Sequence, residues 1–398
     1  MTSSIIQEKL SQAIDLLREH NLDCWLTFVR ETSQTRDPAL DNLLGFGLTW
    51  DSAIILTKQG EKIAIVGQYE SDNVKKLNAY DRVIGYNFGI AELLRAELKR
   101  INPQKIGLNY SLSDTAADGL TFGMYARLVQ MLAGTPYPLQ FTTAEDVVRK
   151  LRERKSAAEL ARVREILVIT EQAYGAILSA PLIGKNETEI HAMAGEMAQE
   201  LGVDFGWERL TNPIVNAGEH SSFGHGIPNP GLKVEPGMIL HLDMGLKKNE
   251  YCSDLQRCAY VLRDGETEPP ETVTRAWLAC WRAMEAGKAA IKPGVQGWVV
   301  DQAARDELTK HGYPEFMHAL GHHVGRNVHD GGSVLGPRWE KYGERPIKPI
   351  EQGAIYTIEL DVIVEGYGMI GLEEMLVVTA DGCEYLSTPQ REIALIRH

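Results

Sequence analysis

The chain has 398 residues, of which 44% are hydrophobic and 24% are charged. This length predicts two or three domains, and the composition is that of a globular protein, which excludes wholesale disorder. The 54 acidic residues outnumber the 41 basic ones, and the net charge is −13. Because no Lys/Arg-rich run interrupts this acidic balance, neither nucleic acid nor an anionic membrane is expected as a partner.

The N-terminus and the cysteines indicate the compartment. Polar residues stand in MTSSIIQEKLSQAIDLL where a signal peptide needs an apolar core. No apolar stretch reaches the roughly 18–20 residues that a transmembrane helix needs. The five cysteines are scattered and form no CxxC pair. These features predict a cytoplasmic protein with reduced thiols and without a disulfide framework.

The N-terminal part of the chain alternates predicted helices with predicted strands. Apolar residues at helical spacing, among them Ile6, Leu10 and Leu17, predict an opening helix with one buried face. The elements predicted after it are a strand at 24–29, a hairpin of 51–57 with 62–67, a helix near 90–100, a strand at 105–111 and a helix at 118–133. This alternation predicts a small α/β domain over residues 1–150.

Residues 151–398 have a different pattern and are predicted to form a second domain. Ser156 and Glu159 have the spacing of a capping box at the start of a long helix. Asn186 and Glu189 repeat that spacing for a second helix, which is predicted to stop at Gly202. After residue 205, glycine-punctuated strands dominate, with two more helices predicted at about 271–290 and 296–311.

A short duplication lies inside the second domain. Residues 234–245 (VEPGMILHLDMG) and 350–361 (IEQGAIYTIELD) share a glutamate, a glycine and an apolar strand that ends in an acid, Asp243 or Glu359. A further acid follows each segment, 11 residues after Asp243 at Asp254 and 14 residues after Glu359 at Glu373. Chance similarity of two turn-plus-strand segments is the alternative, because only twelve positions are compared.

The flanking apolar residues indicate that these acids lie on buried strands. An isolated buried carboxylate loses several kcal/mol of solvation. Each acid must therefore be protonated, pair with lysine or arginine, or bind a metal ion. No lysine or arginine adjoins Asp243 or Glu359 within its predicted strand.

Histidines cluster in HALGHHVGRNVH at 318–329, which contains His318, His322, His323 and His329. The interleaved glycines predict tight turns that bring the imidazoles together. The spacing differs from the HExxH motif of zincins. Metal binding or catalysis is the favoured interpretation of this cluster. His225, alone in the loop SSFGHGIPNP, would more often be a structural or surface residue.

Two pairs of carboxylates and one imidazole can hold two divalent ions at nearly balanced charge. Oxygen-rich ligation with a single imidazole suits Mn(II), Fe(II) or Co(II), with Zn(II) as an alternative. A two-metal site lowers the pKa of a bound water and stabilises a tetrahedral oxyanion, which is the chemistry of peptide or amide hydrolysis.

With these motifs, the chain resembles the pita-bread metallopeptidases, in the branch that contains prolidase (Xaa-Pro dipeptidase), aminopeptidase P and creatinase. The resemblance covers nearly the whole chain and is strongest over 150–380. It implies an α+β fold, in which an N-terminal α/β creatinase-like domain precedes a duplicated, pseudo-twofold pita-bread catalytic domain. It also implies two divalent metal ions, with Mn(II) favoured, a small peptide substrate and a homodimer.

The resemblance further implies a ligand set. The family's ordered ligands, Asp, Asp, His, Glu and Glu, map onto Asp243, Asp254, His322, Glu359 and Glu373, each inside its own motif. By this mapping, Asp254 and Glu373 bridge the metal ions. Asp243 holds one ion, and His322 with Glu359 holds the other.

The same resemblance implies roles in catalysis for four residues. His225 lies over the substrate, and His329 stabilises the oxyanion or the tetrahedral intermediate. His318 corresponds to an additional pocket histidine of the family. Glu359 relays a proton to the leaving amine in addition to binding metal.

Three departures from the family pattern concern substrate specificity. Gly371 stands where the family often has an arginine before the last ligand, and Leu360-Asp361 replaces the usual Pro-Gly after Glu359. Ser333 stands where an arginine often binds the free carboxylate of a dipeptide, and Arg338 is a candidate replacement. A solvated surface loop is the slightly favoured interpretation of the segment around Arg338.

The sequence leaves three functions to compare. The leading one is a dinuclear metallopeptidase that cleaves the bond after an N-terminal residue, with Xaa-Pro as the preferred sequence, by means of a metal-activated hydroxide. The alternative is a creatinase-like C–N hydrolase of a small metabolite. A binding module without catalysis is disfavoured, because all five ligands are retained.

Overall fold

The computed structural model describes residues 2–224 and 226–397, which form two compact units. The first unit ends at Ser156 and the second begins at Ala157. Each unit has its own sheet and its own apolar core.

A six-stranded mixed sheet forms the centre of the first unit. Its strands are β1 (Cys24–Val29), β2 (Ser52–Thr57), β3 (Lys62–Gly67), β4 (Arg82–Tyr86), β5 (Ile106–Leu108) and β6 (Phe141–Thr143). Its helices are α1 (Thr2–Glu19), α2 (Leu40–Leu43), α3 (Gln68–Lys76), α4 (Ala91–Ile101), α5 (Phe122–Met131) and α6 (Glu145–Glu153). The strand order is β4-β3-β2-β1-β5-β6, with β2 antiparallel to both of its neighbours and the other pairs parallel.

Apolar clusters cover both faces of this sheet. Trp25 belongs to the cluster that also contains Ile6, Leu10 and Leu17 of α1, so the predicted buried face of the first helix is confirmed. Leu26, which points to the other face, belongs to a second cluster. Burial on both faces explains why β1 is a continuous apolar run rather than an alternating one.

In its described residues, the second unit combines four α-helices with two sheets. Its helices are α7 (Ala157–Leu178), α8 (Glu187–Leu201), α9 (Glu271–Ala290) and α10 (Gly297–Lys310). Its strands are β7 (Asp204–Phe205), β8 (Ile214–Ala217), β9 (Ile239–Met244), β10 (Leu246–Lys248), β11 (Tyr251–Cys252), β12 (Leu255–Val261), β13 (Ile355–Val364), β14 (Gly368–Val378), β15 (Cys383–Tyr385) and β16 (Ala394–Ile396). Across the described residues of both units, no helix has the length and apolar character needed to cross a membrane.

The caps of α8 follow the sequence prediction. Asn186 and Glu189 form the predicted capping box, and Gly202 ends the helix in the left-handed region at a φ of 65°. The side chain of Asn186 accepts a hydrogen bond from the Glu189 N–H, which would otherwise have no partner within the helix.

The larger sheet of the second unit has the strand order β13-β14-β12-β9-β8, and all of these neighbours are antiparallel. Helices α9 and α10 pack together and contribute Trp277, Met284 and Val300 to a core shared with Tyr356 and Ile358 of β13. This packing supports the strands that carry the acidic residues.

The predicted duplication corresponds to two hairpins, β9 with β12 and β13 with β14. Gly237 and Gly353 precede β9 and β13 with φ angles of 91° and 81°, in the region that favours glycine. The N–H of Gly237 donates to the Val261 carbonyl at 2.7 Å, and the N–H of Gly353 donates to the Val378 carbonyl at 2.9 Å. Both hairpins therefore begin with the same turn, and the predicted duplication is confirmed.

Candidate metal centre

A row of polar side chains crosses four neighbouring strands of the larger sheet. The register places Asp243 on β9 opposite Gln256 on β12, Gln256 opposite Glu373 on β14, and Glu373 opposite Glu359 on β13. Side chains directly opposite each other in antiparallel strands point to the same face. Asp254 lies two residues before Gln256 and shares that direction. The sheet therefore brings the four predicted acidic ligands to one place.

His322 lies beside this row. Its Nε2 is 3.5 Å from Oδ2 of Asp254 and 3.5 Å from Oε1 of Glu359. Ligand atoms of Asp254, His322 and Glu373 all lie within 4.8 Å of one another. This spacing suits three groups that surround a common ion.

Hydrogen bonds of the backbone and of the Thr357 side chain hold the histidine segment against β13. The His322 N–H donates to Oγ1 of Thr357 at 3.1 Å, and the Thr357 N–H donates to the His322 carbonyl at 2.9 Å. A Cβ on Gly321 would lie only 2.1 Å from the Thr357 carbonyl oxygen. Glycine is therefore required at 321 for His322 to approach the acidic row.

Burial raises the pKa of each acid in the cluster. It raises the pKa values of Asp243, Asp254 and Glu373 well above the usual range, and the neighbouring carboxylates raise them further. The pKa of Glu359 rises to about 7, mainly through burial. Among the described residues, no lysine or arginine forms an ion pair with these four carboxylates.

The donor set fits divalent metal ions. Oδ1 of Asp243 is buried and has no hydrogen-bond partner among the described residues. A buried carboxylate oxygen without a partner is costly, and a metal ion would satisfy it. Four carboxylates with one imidazole are the ligands preferred by Mn(II) and similar ions.

The other predicted catalytic histidines differ in their surroundings. The His329 ring meets the His322 ring edge-on, with 4.3 Å between centroids. His318 Nε2 lies 3.0 Å from Oδ1 of Asp361. Burial disfavours the charged His318 imidazolium, but the Asp361 hydrogen bond and the nearby Glu359 charge raise its pKa to about 9. His225 lies outside the described residues.

Two residues at positions where this chain departs from the family pattern, Ser333 and Arg338, also have partners in the structure. The Ser333 hydroxyl lies within a buried network, 3.1 Å from His323 Nε2 and 2.6 Å from the Tyr356 hydroxyl. Arg338 is exposed, and its guanidinium lies over the Trp298 ring at 4.1 Å. This contact supports the surface interpretation of the loop.

A second arginine of the same loop, Arg345, has a charge that acts on His322. Arg345 Nε donates to the Gly332 carbonyl at 2.8 Å. Burial lowers the pKa of His322 well below its usual value, and the positive charge of Arg345 is close enough to add to this effect.

Two residues of the site were missed by the sequence analysis. Gln256 Nε2 donates to Oε2 of Glu359 at 3.1 Å, and His241 Nε2 donates to Oε1 of Gln256 at 2.9 Å. Gln256 is two positions after the predicted ligand Asp254, and His241 is two positions before the predicted ligand Asp243. The alternation of side chains along a strand is the signal that would have placed them on the ligand face.

Three similarities to known proteins agree with this geometry. The Xaa-Pro dipeptidase of Pyrococcus furiosus is 26% identical over 255 residues, which are 64% of this chain and 68% of that protein. The structure of the Xaa-Pro dipeptidase from Bacillus anthracis superposes with a TM-score of 0.76 at 22% identity, covering 98% of this chain and 100% of that one. The X-Pro aminopeptidase structure from Thermotoga maritima superposes with a TM-score of 0.73 at 23% identity, covering 97% and 99%.

These structural similarities confirm the predicted α+β pita-bread fold. Residues 161–380, more than half of the chain, match the model of metallopeptidase family M24. Membership implies hydrolysis of peptides with the help of divalent metal ions, which the acidic cluster fits. The chain belongs to metallopeptidase family M24.

Proposed function

We propose that this metallopeptidase hydrolyses the bond after an N-terminal residue when proline follows it. The observation that carries the proposal is the convergence of Asp254, His322 and Glu373, whose ligand atoms lie within 4.8 Å of one another. The relatives named Xaa-Pro dipeptidase and X-Pro aminopeptidase support the preference for proline.

We propose that two divalent ions, with Mn(II) favoured and Co(II), Fe(II) or Zn(II) as alternatives, are held by five residues. Asp254 and Glu373 would bridge them, because Asp254 adjoins β12 and Glu373 lies on β14, the two strands between those of Asp243 and Glu359. Asp243 would hold one ion, and its buried Oδ1 supports this role. His322 and Glu359 would hold the other, which agrees with the 3.5 Å between their side-chain atoms.

When bound, the two ions lower the pKa of a water molecule and polarise the scissile carbonyl. In our proposal Glu359 takes the proton of the attacking water and passes it to the leaving nitrogen of proline. His329, exposed beside His322, donates to the oxyanion that develops on the carbonyl. His318, held by Asp361, shapes the pocket as a cation, and His225 would lie over the substrate.

Arg345 is our candidate for binding the carboxylate of a dipeptide substrate, in place of Arg338. The positive charge of Arg345 lowers the pKa of His322, whereas the Arg338 guanidinium lies over the Trp298 ring at the surface. If the enzyme is a dipeptidase, Arg345→Met raises KM for dipeptides at least tenfold, and the matched variant Arg338→Met leaves KM unchanged. Equal KM values for all three proteins would refute this assignment.

A hydrolysis panel tests the function. The purified protein is stripped of metal, reconstituted with Mn(II) or Co(II), and offered Xaa-Pro dipeptides, Xaa-Pro-Yaa tripeptides, Xaa-Ala peptides and creatine. Cleavage of Xaa-Pro dipeptides alone identifies a prolidase, and cleavage of the tripeptides identifies an aminopeptidase P. Turnover of creatine without peptide cleavage would refute the proposal in favour of the creatinase-like hydrolase, for which Gly371 in place of the family arginine is the motivating observation.

The remaining proposals concern organisation and location. We assign catalysis to the second domain (151–398), because every proposed ligand lies there, and regard 1–150 as the creatinase/prolidase-like N-terminal domain. We propose a homodimer, which light scattering would test. We also propose a cytoplasmic location, which agrees with the five free cysteines.

A further inference from the structure

We propose that Gln256 is a positioning residue that holds the carboxylates of Glu359 and Glu373 in place for metal binding, and that His241 fixes the orientation of Gln256. This pair takes the place of the arginine that the family often has at position 371. The inference rests on the ligand assignment proposed above.

The amide of Gln256 lies between two proposed ligands. Its Nε2 donates to Oε2 of Glu359 at 3.1 Å, and its side chain lies directly opposite that of Glu373 on the same face of the sheet. The register explains this reach, because Gln256 is directly opposite Glu373, which is directly opposite Glu359. A single side chain therefore hydrogen-bonds to one proposed terminal ligand and is the cross-strand neighbour of one proposed bridging ligand.

A hydrogen bond from His241 determines the orientation of the Gln256 amide. His241 Nε2 donates to Oε1 of Gln256 at 2.9 Å, which directs the Gln256 NH2 group toward the carboxylates. His241 is almost completely buried, so water does not compete for this contact.

Gly371 provides the space for this arrangement. A Cβ at position 371 would lie 2.5 Å from Oε1 of Gln256 and 2.5 Å from Nε2 of His241. Any side chain at 371, an arginine included, would displace both groups. The absence of the arginine and the presence of the His241–Gln256 pair are therefore two parts of one arrangement.

The guanidinium of Arg257, the residue next to Gln256, has other partners. Arg257 follows Gln256 along β12 and points to the opposite face, where it pairs with Glu374 at 3.2 Å. Its contact with Glu373 is a hydrogen bond to the backbone carbonyl at 3.1 Å, not to the carboxylate. Orientation of the ligand carboxylates is thus left to Gln256.

The duplication shows which residue of the second hairpin is equivalent to Gln256. Val261 and Val378 occupy equivalent places in the two hairpins, because each accepts the hydrogen bond of the turn glycine. Gln256 lies five residues before Val261, and Glu373 lies five residues before Val378. The first hairpin therefore has a neutral amide where the second has a bridging carboxylate. The amide can donate to the acids around it, which a fifth carboxylate could not do.

Metal affinity is the measurement that tests this role. Titration calorimetry with MnCl₂ is carried out on the stripped wild type and on Gln256→Met, with thermal unfolding recorded for both. Groups that orient metal ligands typically account for about 10- to 100-fold in affinity. We expect Gln256→Met to weaken Mn(II) binding about 10- to 100-fold, while Tyr174→Phe leaves it within twofold.

Tyr174→Phe is the matched control for a purely structural role. Its hydroxyl donates to the carbonyl of Leu255, the residue before Gln256 on β12, at 2.5 Å and forms no hydrogen bond with the five proposed ligands. Loss of a buried hydrogen bond lowers the melting temperature in both variants. Unchanged Mn(II) affinity in a folded Gln256→Met would overturn the proposal.

Gly371→Ala tests the same arrangement without removing a polar group. Its Cβ should displace His241 and Gln256 and weaken Mn(II) binding at least tenfold.

In the double variant His241→Leu/Gln256→Met, the affinity should equal that of Gln256→Met alone, because His241 acts through Gln256. Additive losses, or normal affinity in Gly371→Ala, would overturn the proposal. Glu373→Ala serves as the reference: if it binds Mn(II) normally, the ligand assignment itself fails.

Discussion

At the scale of single residues, the site is a balance between carboxylates that repel each other and the few groups that can satisfy them. Burial raises the pKa of Asp243, Asp254 and Glu373 well above the usual range, and the charged forms need a cation. The nearest buried guanidinium, Arg257, is paired with Glu374. A bound divalent ion is the counter-charge that the donor set suits best.

Removal of one proposed bridging carboxylate should remove both metal and activity. Asp254→Ala and Glu373→Ala each take a ligand from both ions, so we expect stripped and reconstituted protein to retain no stoichiometric Mn(II). We expect the rate constant kcat/KM to fall by about 10³-fold or more, equivalent to roughly 4 kcal/mol. Metal content by mass spectrometry and peptide hydrolysis measure the two effects. A fully metallated, active variant would contradict the ligand assignment.

The His318–Asp361 pair should give the metal-free protein a pH-dependent stability. The folded pKa of His318 is raised from 6.5 to about 9, so its contribution is complete below pH 6.5 and is lost as the pH rises through 9. In EDTA, the difference in melting temperature between wild type and His318→Asn should be largest at pH 6 and absent above pH 9. Asp361→Asn should show the same profile, and a difference independent of pH would contradict the pair.

How much of the site the sequence reveals depends on how local each signal is. Each of the five candidate ligands lies in its own motif, so local pattern and the resemblance to the family were sufficient to propose them, and Asp254, His322 and Glu373 converge in the structure. Gln256 and His241 were missed because their role depends on the register of β9, β12 and β14 and on the space above Gly371. Strand alternation indicates the face to which the two side chains point, but no local pattern reports the register of the strands or the space above Gly371.

At the scale of elements, the two hairpins use the same turn but place their acids differently. Asp254 precedes β12, whereas Glu373 lies within β14, which accounts for the unequal spacings of 11 and 14 residues in the duplicated segments. The equivalent of Glu373 is Gln256, so the duplication preserves the fold more closely than the chemistry. The turn glycines belong to the preserved part, because both have positive φ angles.

Glycine-to-alanine substitutions should change stability in opposite directions in the turns and the helices. Gly353 has a φ of 81°, and Gly353→Ala should lower the free energy of unfolding by about 1–2 kcal/mol. Gly175 lies within α7 and has open space around it, so Gly175→Ala should raise the free energy by about 0.5–1 kcal/mol. Denaturant titration measures both values, and Mn(II) affinity should be unchanged. A stabilising Gly353→Ala would contradict the shared turn.

At the scale of the whole molecule, the acidic cluster lowers the stability of the metal-free protein. The free energy of unfolding of a domain is only about 5–15 kcal/mol. The cost of burying several acids with raised pKa values is therefore a considerable fraction of it. The chain already carries a net charge of −13, which the bound cations would reduce. Metal binding and folding should therefore be coupled throughout the second unit.

The stabilisation by Mn(II) should increase with pH. Carboxylates ionise near pH 4 in the unfolded chain, whereas Glu359 ionises at about 7 in the folded protein and burial raises the pKa values of the other three well above the usual range. Raised acid pKa values make the unfolded state lose protons first, so the metal-free protein loses stability as the pH rises above 4. Bound Mn(II) displaces these protons and removes the penalty.

Thermal unfolding with Mn(II) and with EDTA between pH 5 and pH 8 measures this coupling. The difference in melting temperature between the two samples should grow steadily with pH, and the contribution of His318 largely cancels in that difference. Glu373→Gln removes one ionising group, so in EDTA at pH 8 it should melt above the wild type and should not respond to Mn(II). A difference that stays constant with pH would mean that the four acids are not the groups at which metal binding and folding are coupled.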